Sequence, residues 1–409
     1  MTRFFATLVA IGLIGLCTAA RAQSEPLTIQ PTQEIQFAQA GSGGIALHGA
    51  YLFAGIPGGD VFPAVAGLVN IYRKESNSQC SESPCWVAAG QLQRPEAFAG
   101  DQFGASLDFD GRTLIVGSPA FLSPDSSNTD DAAVFAFERD GSRFAFQQKL
   151  LGVPVPANPG GFSHFGETAV LAGDRLAITQ LPEFVPGSAY VFKRNERGVW
   201  HREAQLQPAA ITIHDQFGVS VDINSDTLIC GSDTTGYATV FYRHGDDWKE
   251  GPTLTAPDQA LNGGGGFGRS VALHGNKAAV GAYFSTDPNF SIYLGSEYVF
   301  EREGRNWSQK QQLINPVFDP NTSPSFGAES LFRNDRIAVA SAFAIYIYER
   351  QDRQWTLAAK LVSSSLFSIT NSLDSMDWDA STLVAVTTTG IAIFDLSSLD
   401  ARPAALAPR

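Results

Sequence analysis

Cys80 and Cys85 bracket the polar stretch Ser-Glu-Ser-Pro in NSQCSESPCW, where a turn can bring two thiols within bonding distance. Oxidised, the pair staples one hairpin tip. Kept reduced, two thiolates without a second pair or a nearby His fall short of a four-ligand zinc site. Cys230 lies in the apolar run TLICG, the setting of a buried, inert thiol rather than a nucleophile. His214 stands beside Asp215, but neighbours on a strand point to opposite faces and do not form a dyad. The remaining histidines are dispersed, and His48 and His274 both precede a turn glycine. Neither HExxH nor GxSxG occurs, and no helix follows the glycine run NGGGGFG at 262–268. Paired carboxylates for glycoside hydrolysis stay open as an alternative, since a closed ring of strands could bring distant blades together. No pair is singled out for that role.

The elements that would position these residues announce themselves by repetition. DQFGASLDFDGRTLIVG at 101 returns as SHFGETAVLAGDRLAIT at 163 and DQFGVSVDINSDTLICG at 215. GGFGRSVALHGNKAAVG at 265 and PSFGAESLFRNDRIAVA at 324 continue the series. Degenerate copies flank them, AGSGGIALHGAYLFAG at 40 and ITNSLDSMDWDASTLVAV at 369, giving seven units. The signature pairs are Phe103-Gly104, Phe165-Gly166, Phe217-Gly218, Phe267-Gly268 and Phe326-Gly327, with Phe spacings of 62, 52, 50 and 59. Such spacing, with an apolar period of two, predicts propeller blades.

Each unit continues with an aromatic strand, a charged turn, a Trp and a closing Leu, as in SEYVFEREGRNWSQKQQL at 296. Two hairpins per unit make a four-stranded antiparallel blade. The fold class expected is therefore all-β, a seven-bladed propeller. In it the Phe residues fill gaps between blades, and the glycines permit close backbone approach. The runs LIVG, LAIT, LICG and AAVG are small and β-branched, which predicts that they occupy the centre of the disc. Trp200, Trp248, Trp307 and Trp355 are expected to cover the outer sheet. The seventh unit shows only three strands, and LTIQPTQEIQFAQ at 27–39 has no partner in its own unit. It is expected to supply the missing outer strand and so remove an open sheet edge.

The 409 residues are 44% apolar and 17% charged, with 39 Gly and 22 Pro, enough to bury a large core between many turns. A net charge of −13 without a basic stripe argues against nucleic-acid binding. Residues 1–22 read as a signal peptide: Arg3, an apolar run from Phe4 to Cys17, and Ala20-Arg21-Ala22. That run is shorter than the roughly 20 residues of a membrane span, so no span is expected after cleavage. A single propeller is expected over 23–397, with blades starting near 40, 101, 163, 215, 265, 324 and 369. Residues 398–409 are read as a tail.

These residues resemble the FG-GAP repeat, the blade type of integrin α-subunit propellers and of many bacterial exported proteins. The cadence is carried by FGASLDFDGRTLIVGSP and FGRSVALHGNKAAVGAY, and YVFER…W…L at Tyr298–Leu313 is similar to the bacterial branch. Integrin-type blades often hold calcium just after the Gly-Ala-Pro element. Here that place carries FLSPDSSNTDDAA, with Asp125, Asn128, Asp130 and Asp131. It has oxygens but not the alternation that a hard-cation loop requires, so an acidic solvated loop is expected, with no cofactor unless calcium. The DSMDWD run with Asp374, Asp377 and Asp379 reads as strand and turn rather than an ion site. The resemblance implies an exported, periplasmic or extracellular, non-catalytic propeller that binds an extracellular or envelope protein or glycan. The alternative is an extracytoplasmic polysaccharide-acting enzyme with its site at the channel mouth. Long connections at 118–132 and 282–296 mark the candidate binding rim, and others run at 75–86 and 152–164.

Overall fold

The computed structural model describes residues 26–37, 43–58, 66–76, 84–96, 100–119, 132–153, 163–182, 185–257, 265–285, 294–317, 325–365, 367 and 375–401. Seven antiparallel sheets follow one another along the chain, each of four strands in sequence order except at the closure. Blade 2 is representative: Leu107–Phe109, Thr113–Ser118, Ala133–Asp140 and Arg143–Leu151. The first strand of each blade borders a central channel, and the fourth lies at the rim.

Sequence pattern follows position in this disc. Thr113–Ser118 is buried at every residue, because neighbouring blades cover both faces of a second strand. Arg143–Leu151 alternates and is largely exposed, so it tolerates Arg, Gln and Lys. This corrects one expectation. The apolar runs LIVG, LAIT, LICG and AAVG are second strands, not the innermost ones. The innermost place belongs to the preceding alternating runs, such as Leu107–Phe109 and Val221–Ile223.

The closure is as expected, with an addition. Strand β2 (Gln33–Gln36) pairs antiparallel with Gly390–Asp395 and completes blade 7. Strand β1 (Leu27–Ile29) adds in parallel to Gln354–Leu361, so blade 6 gains a fifth strand. The N-terminal segment therefore ties blade 6 to blade 7. The described chain also runs past 397, the expected end of the propeller. A single turn α1 (Ser397–Asp400) buries Leu399 in the core of the last two blades, and Asp400 pairs with Arg336 at 2.6 Å.

Phe103, Phe165, Phe217, Phe267 and Phe326 are all fully buried between consecutive blades. Phe103, for example, lies among Val69 and Ile71 of blade 1 and Val116 and Phe135 of blade 2. Where the first and last units lack this Phe, other residues occupy the gap. Phe37 packs at the junction of blades 7 and 1, and Phe367 packs on Phe394 between blades 6 and 7.

Candidate functional site

The signature turn is built from two left-handed residues around the buried Phe. Gln102, His164, Gln216 and Ser325 have φ between 46° and 52°, and the glycines after the Phe have φ from 86° to 107°. Gly104 shows why the second must lack a side chain. A Cβ there would stand 3.0 Å from Gly55 Cα and from the Leu68 carbonyl oxygen of blade 1. Gly55 closes the second strand of blade 1, so the two glycines of the template meet across one blade junction. These residues hold the scaffold together rather than a ligand.

Polar side chains at the second and fourth positions after that glycine project along the first strand. Ser106, Ser220 and Ser270 donate to the carbonyl of Gly166, Gly268 and Gly327 in the next blade, at 2.9, 2.8 and 3.1 Å. Asp108, Asp222 and Asp377 line the channel two residues further on. Each carboxylate bridges two strands. Asp108 accepts from its own Phe109 N–H and from Leu171 N–H of blade 3, at 2.7 and 2.6 Å. Asp222 does the same with Ile223 and Leu273, and Asp377 with Trp378 and Leu47 of blade 1. Glu329 occupies a serine position in blade 6 and accepts from Met376 N–H at 2.8 Å and from the Ser375 hydroxyl.

The channel is a cavity of about 290 Å³ bordered by all seven first strands. Burial raises Asp108 to about 7, helped by the charge of Asp377 and opposed by the two amides. Burial alone takes Asp222 to about 7, and Glu329 reaches about 8 for the same reason despite the Ser375 and Met376 bonds. Asp377 is raised by burial too, with Arg333 pulling it back. Glu297, fully buried beside Ser330 of blade 6, lies well above its ordinary range through burial, which the Ser330 hydroxyl opposes. Of this channel group only Asp377 stands out from the sequence, in DSMDWD. The signal was an Asp between two apolar residues at a fixed distance in the repeat: Leu-Asp-Phe, Val-Asp-Ile, Met-Asp-Trp.

The other singled-out residues have structural partners. Asp215 does not engage His214: its carboxylate accepts from Thr212 N–H and Oγ1 at 2.8 and 2.7 Å and from the Tyr237 hydroxyl. Burial opposes these bonds, yet together they hold Asp215 below its usual range. Its repeat counterpart, Asp101, forms a buried ion pair with Arg94 at 2.7 Å, the guanidinium lying over Phe135. His48 and His274 each face an aromatic ring of the next blade, Phe109 and Phe332. Asp377 and Asp379 lie in a strand, as expected, and bind the backbone N–H groups of Leu47 and Gly49. Trp200 and Trp355 sit buried at the starts of outer strands. Cys85 is disulfide-bonded, whereas Cys80 lies outside the described residues, as do Asp125, Asn128, Asp130, Asp131 and Asp374. Cys230 is free and buried, and burial pushes its thiol far up. Among the described residues no group of three or more His, Cys, Asp or Glu could hold a metal ion.

The FG-GAP repeat family matches residues 248–300, from the outer strand of blade 4 through the Gly-Phe-Gly turn to the third strand of blade 5. The chain carries an FG-GAP repeat. No curated protein matches the sequence. Among solved structures, the β-propeller domain of Cps50 (Swd1) from Myceliophteria thermophila is 12% identical. It covers 89% of this chain and 98% of its own, with a TM-score of 0.54. The WD40 domain of Toxoplasma gondii coronin is 10% identical, covering 90% and 87%, with a TM-score of 0.51. These likenesses show the propeller fold of this FG-GAP repeat chain and nothing about its chemistry.

Proposed function

We propose that this FG-GAP repeat propeller is an exported, non-catalytic scaffold that captures a protein, glycan or cell-surface partner on one face of its disc. The observation that carries this reading is where its exposed apolar side chains fall. Second-to-third strand connections and blade-to-blade connections all leave one face; tight hairpin turns occupy the other. Leu151, Ile213, Phe284, Ile314, Val317 and Phe343 are exposed on or next to the first kind of connection. Single exposed apolar residues are ordinary, but a set gathered on one face fits an interaction surface. The strand ends that flank the connections 118–132 and 282–296, Ser118 with Ala133 and Ala282 with Ser296, lie on that face.

The test is capture of extracellular proteins on immobilised propeller, and of glycans on an array. Loss of a captured partner in F284S/F343S, with retention in V199S on the hairpin face, supports the reading. Equal capture by both variants would remove this face from consideration.

A polysaccharide-acting enzyme is the second reading, and the gathering of Asp108, Asp222, Glu329 and Asp377 in the channel is what favours it. Against it, both oxygens of each Asp already hold backbone N–H groups of two blades. A general acid drawn from this set would have to break a blade junction to deliver its proton. Hydrolysis of a polysaccharide panel that disappears in D108N and D222N would establish the enzyme instead.

A further inference from the structure

One blade departs from the template on the connection face. Across blades 2 to 6 the residue after the signature glycine is Ala105, Glu167, Val219, Arg269 and Ala328. The residue that follows the second strand is Pro119, Leu181, Asp233, Tyr283 and Ser341. Only blade 5 has an Arg at the first place and an aromatic ring at the second, so packing of the repeat does not call for them. The two meet. The Arg269 guanidinium lies 5.4 Å over the Tyr283 ring, and Phe284 packs on Tyr283 with ring centroids 3.8 Å apart. Asp233 of blade 4 completes the group, 3.6 Å from Arg269.

The end of the glycine run NGGGGFG seats this group. A Cβ at Gly266 would stand 2.6 Å from the Tyr283 ring, and Phe284 N–H donates to the Gly265 carbonyl at 2.8 Å. Ser285 N–H returns to the Ala282 carbonyl at 3.0 Å and closes the turn that presents both rings. Backbone therefore fixes the rings before any ligand arrives, with Tyr283 half-buried and Phe284 43% exposed. We propose that Asp233, Arg269, Tyr283 and Phe284 form a subsite for a neutral pyranose of a glycan. This rests on the capture reading above and names its ligand.

The chemistry is complementary on two counts. One face of a pyranose presents C–H groups of slight positive charge, and an aromatic ring offers them its negative face. The sugar hydroxyls both donate and accept, and they need both kinds of partner on leaving water. At 3.6 Å the Asp233–Arg269 contact is longer than a hydrogen bond, so neither head group saturates the other. The carboxylate accepts and the guanidinium donates, which suits a vicinal diol. Their side chains are only 9% and 18% exposed, a setting in which such bonds count for more than in open water. A sugar acid fits poorly, because Asp233 and the nearby Glu329 set two carboxylates against one guanidinium. An anchor from a protein partner fills a desolvated pocket, whereas these rings border an ion pair.

The experiment is calorimetric titration of the chain with uncharged gluco-, manno- and galacto-configured oligosaccharides, and with uronic-acid and sialylated ones. At least one neutral series is expected to bind, about tenfold more weakly in F284A and in R269Q, and the acidic sugars are expected to bind less well. F284A removes an exposed ring, so its melting temperature is expected to match the wild type and its lost affinity reports the site itself. Neutral binding that survives both substitutions, tighter binding of acidic sugars, or no sugar binding at all overturns the proposal. Capture of a protein through Phe284 and Phe343 without any sugar binding overturns it while the capture reading stands. Absence of capture of any kind removes both.

Discussion

Gln33 and Trp86 exchange two hydrogen bonds, Trp86 N–H to Gln33 Oε1 and Gln33 Nε2–H to the Trp86 carbonyl, each 2.8 Å long. Gln148 clamps Trp200 in the same way from blade 2 to blade 3, and Gln311 clamps Trp355 from blade 5 to blade 6. Gln33 comes from the N-terminal strand, so the join between the chain ends reproduces an ordinary blade junction. Replacing Gln33 by Ala is expected to cost about 2 kcal/mol, the net worth of two such bonds. Denaturant unfolding of Q33A and Q148A side by side checks it; a neutral Q33A beside a damaging Q148A would show the closure to be weaker than its geometry.

Gly104 and Gly141 separate conformation from contact. Both have positive φ, 99° and 61°, but a Cβ at Gly141 meets nothing within 4 Å. G141A is expected to lose about 1 kcal/mol from left-handed strain alone. G104A adds collision with blade 1 and is expected to lose about 3 kcal/mol or more. Unfolding midpoints in urea decide the order, and equal losses would refute the account of the repeat glycine.

The Arg94–Asp101 pair is nearly inaccessible, with side chains 3% and 5% exposed. R94A strands a buried carboxylate and should cost about 3–5 kcal/mol, whereas R94M/D101L removes both charges and should cost distinctly less. Calorimetry on the two variants tests this; a double variant worse than R94A would contradict it.

Cys230 supplies a probe of global opening. Its thiol is fully buried and held in the neutral form by its surroundings. At pH 8 an alkylating reagent is expected to spare it in the folded protein and to modify it quickly in 6 M guanidinium, read by mass spectrometry. Rapid native modification would mean that blade 4 opens far more readily than its packing implies.

Repetition made the architecture legible, because each unit had to solve the same packing problem with nearly the same residues. Phe103 and its counterparts were readable as wedges for that reason. The order of strands within a blade is less legible. LIVG is the most apolar run, which suggested the centre, yet a second strand is apolar because blades cover it on both sides. The first strand meets a narrow channel and carries Ser106 and Asp108 instead. Those carboxylates were hidden because alternation normally sends an Asp to solvent, and nothing in one strand reveals the amide waiting in the next blade. The partner of β1 is not legible, since three residues, Leu27–Ile29, give too short a pattern to fix it.

The closure also imposes an order in time. Thr32 donates both its amide and its hydroxyl to the carbonyl of Ile393, 361 residues away. During synthesis β2 is made before blades 1 to 6, and Gly390–Asp395 after them. Until Gly390–Asp395 is made, β2 has no edge of its own blade to join. A chain interrupted between β2 and residue 390 thus leaves β2 unmated, so the ring closes only after the last strand of blade 7 has been made.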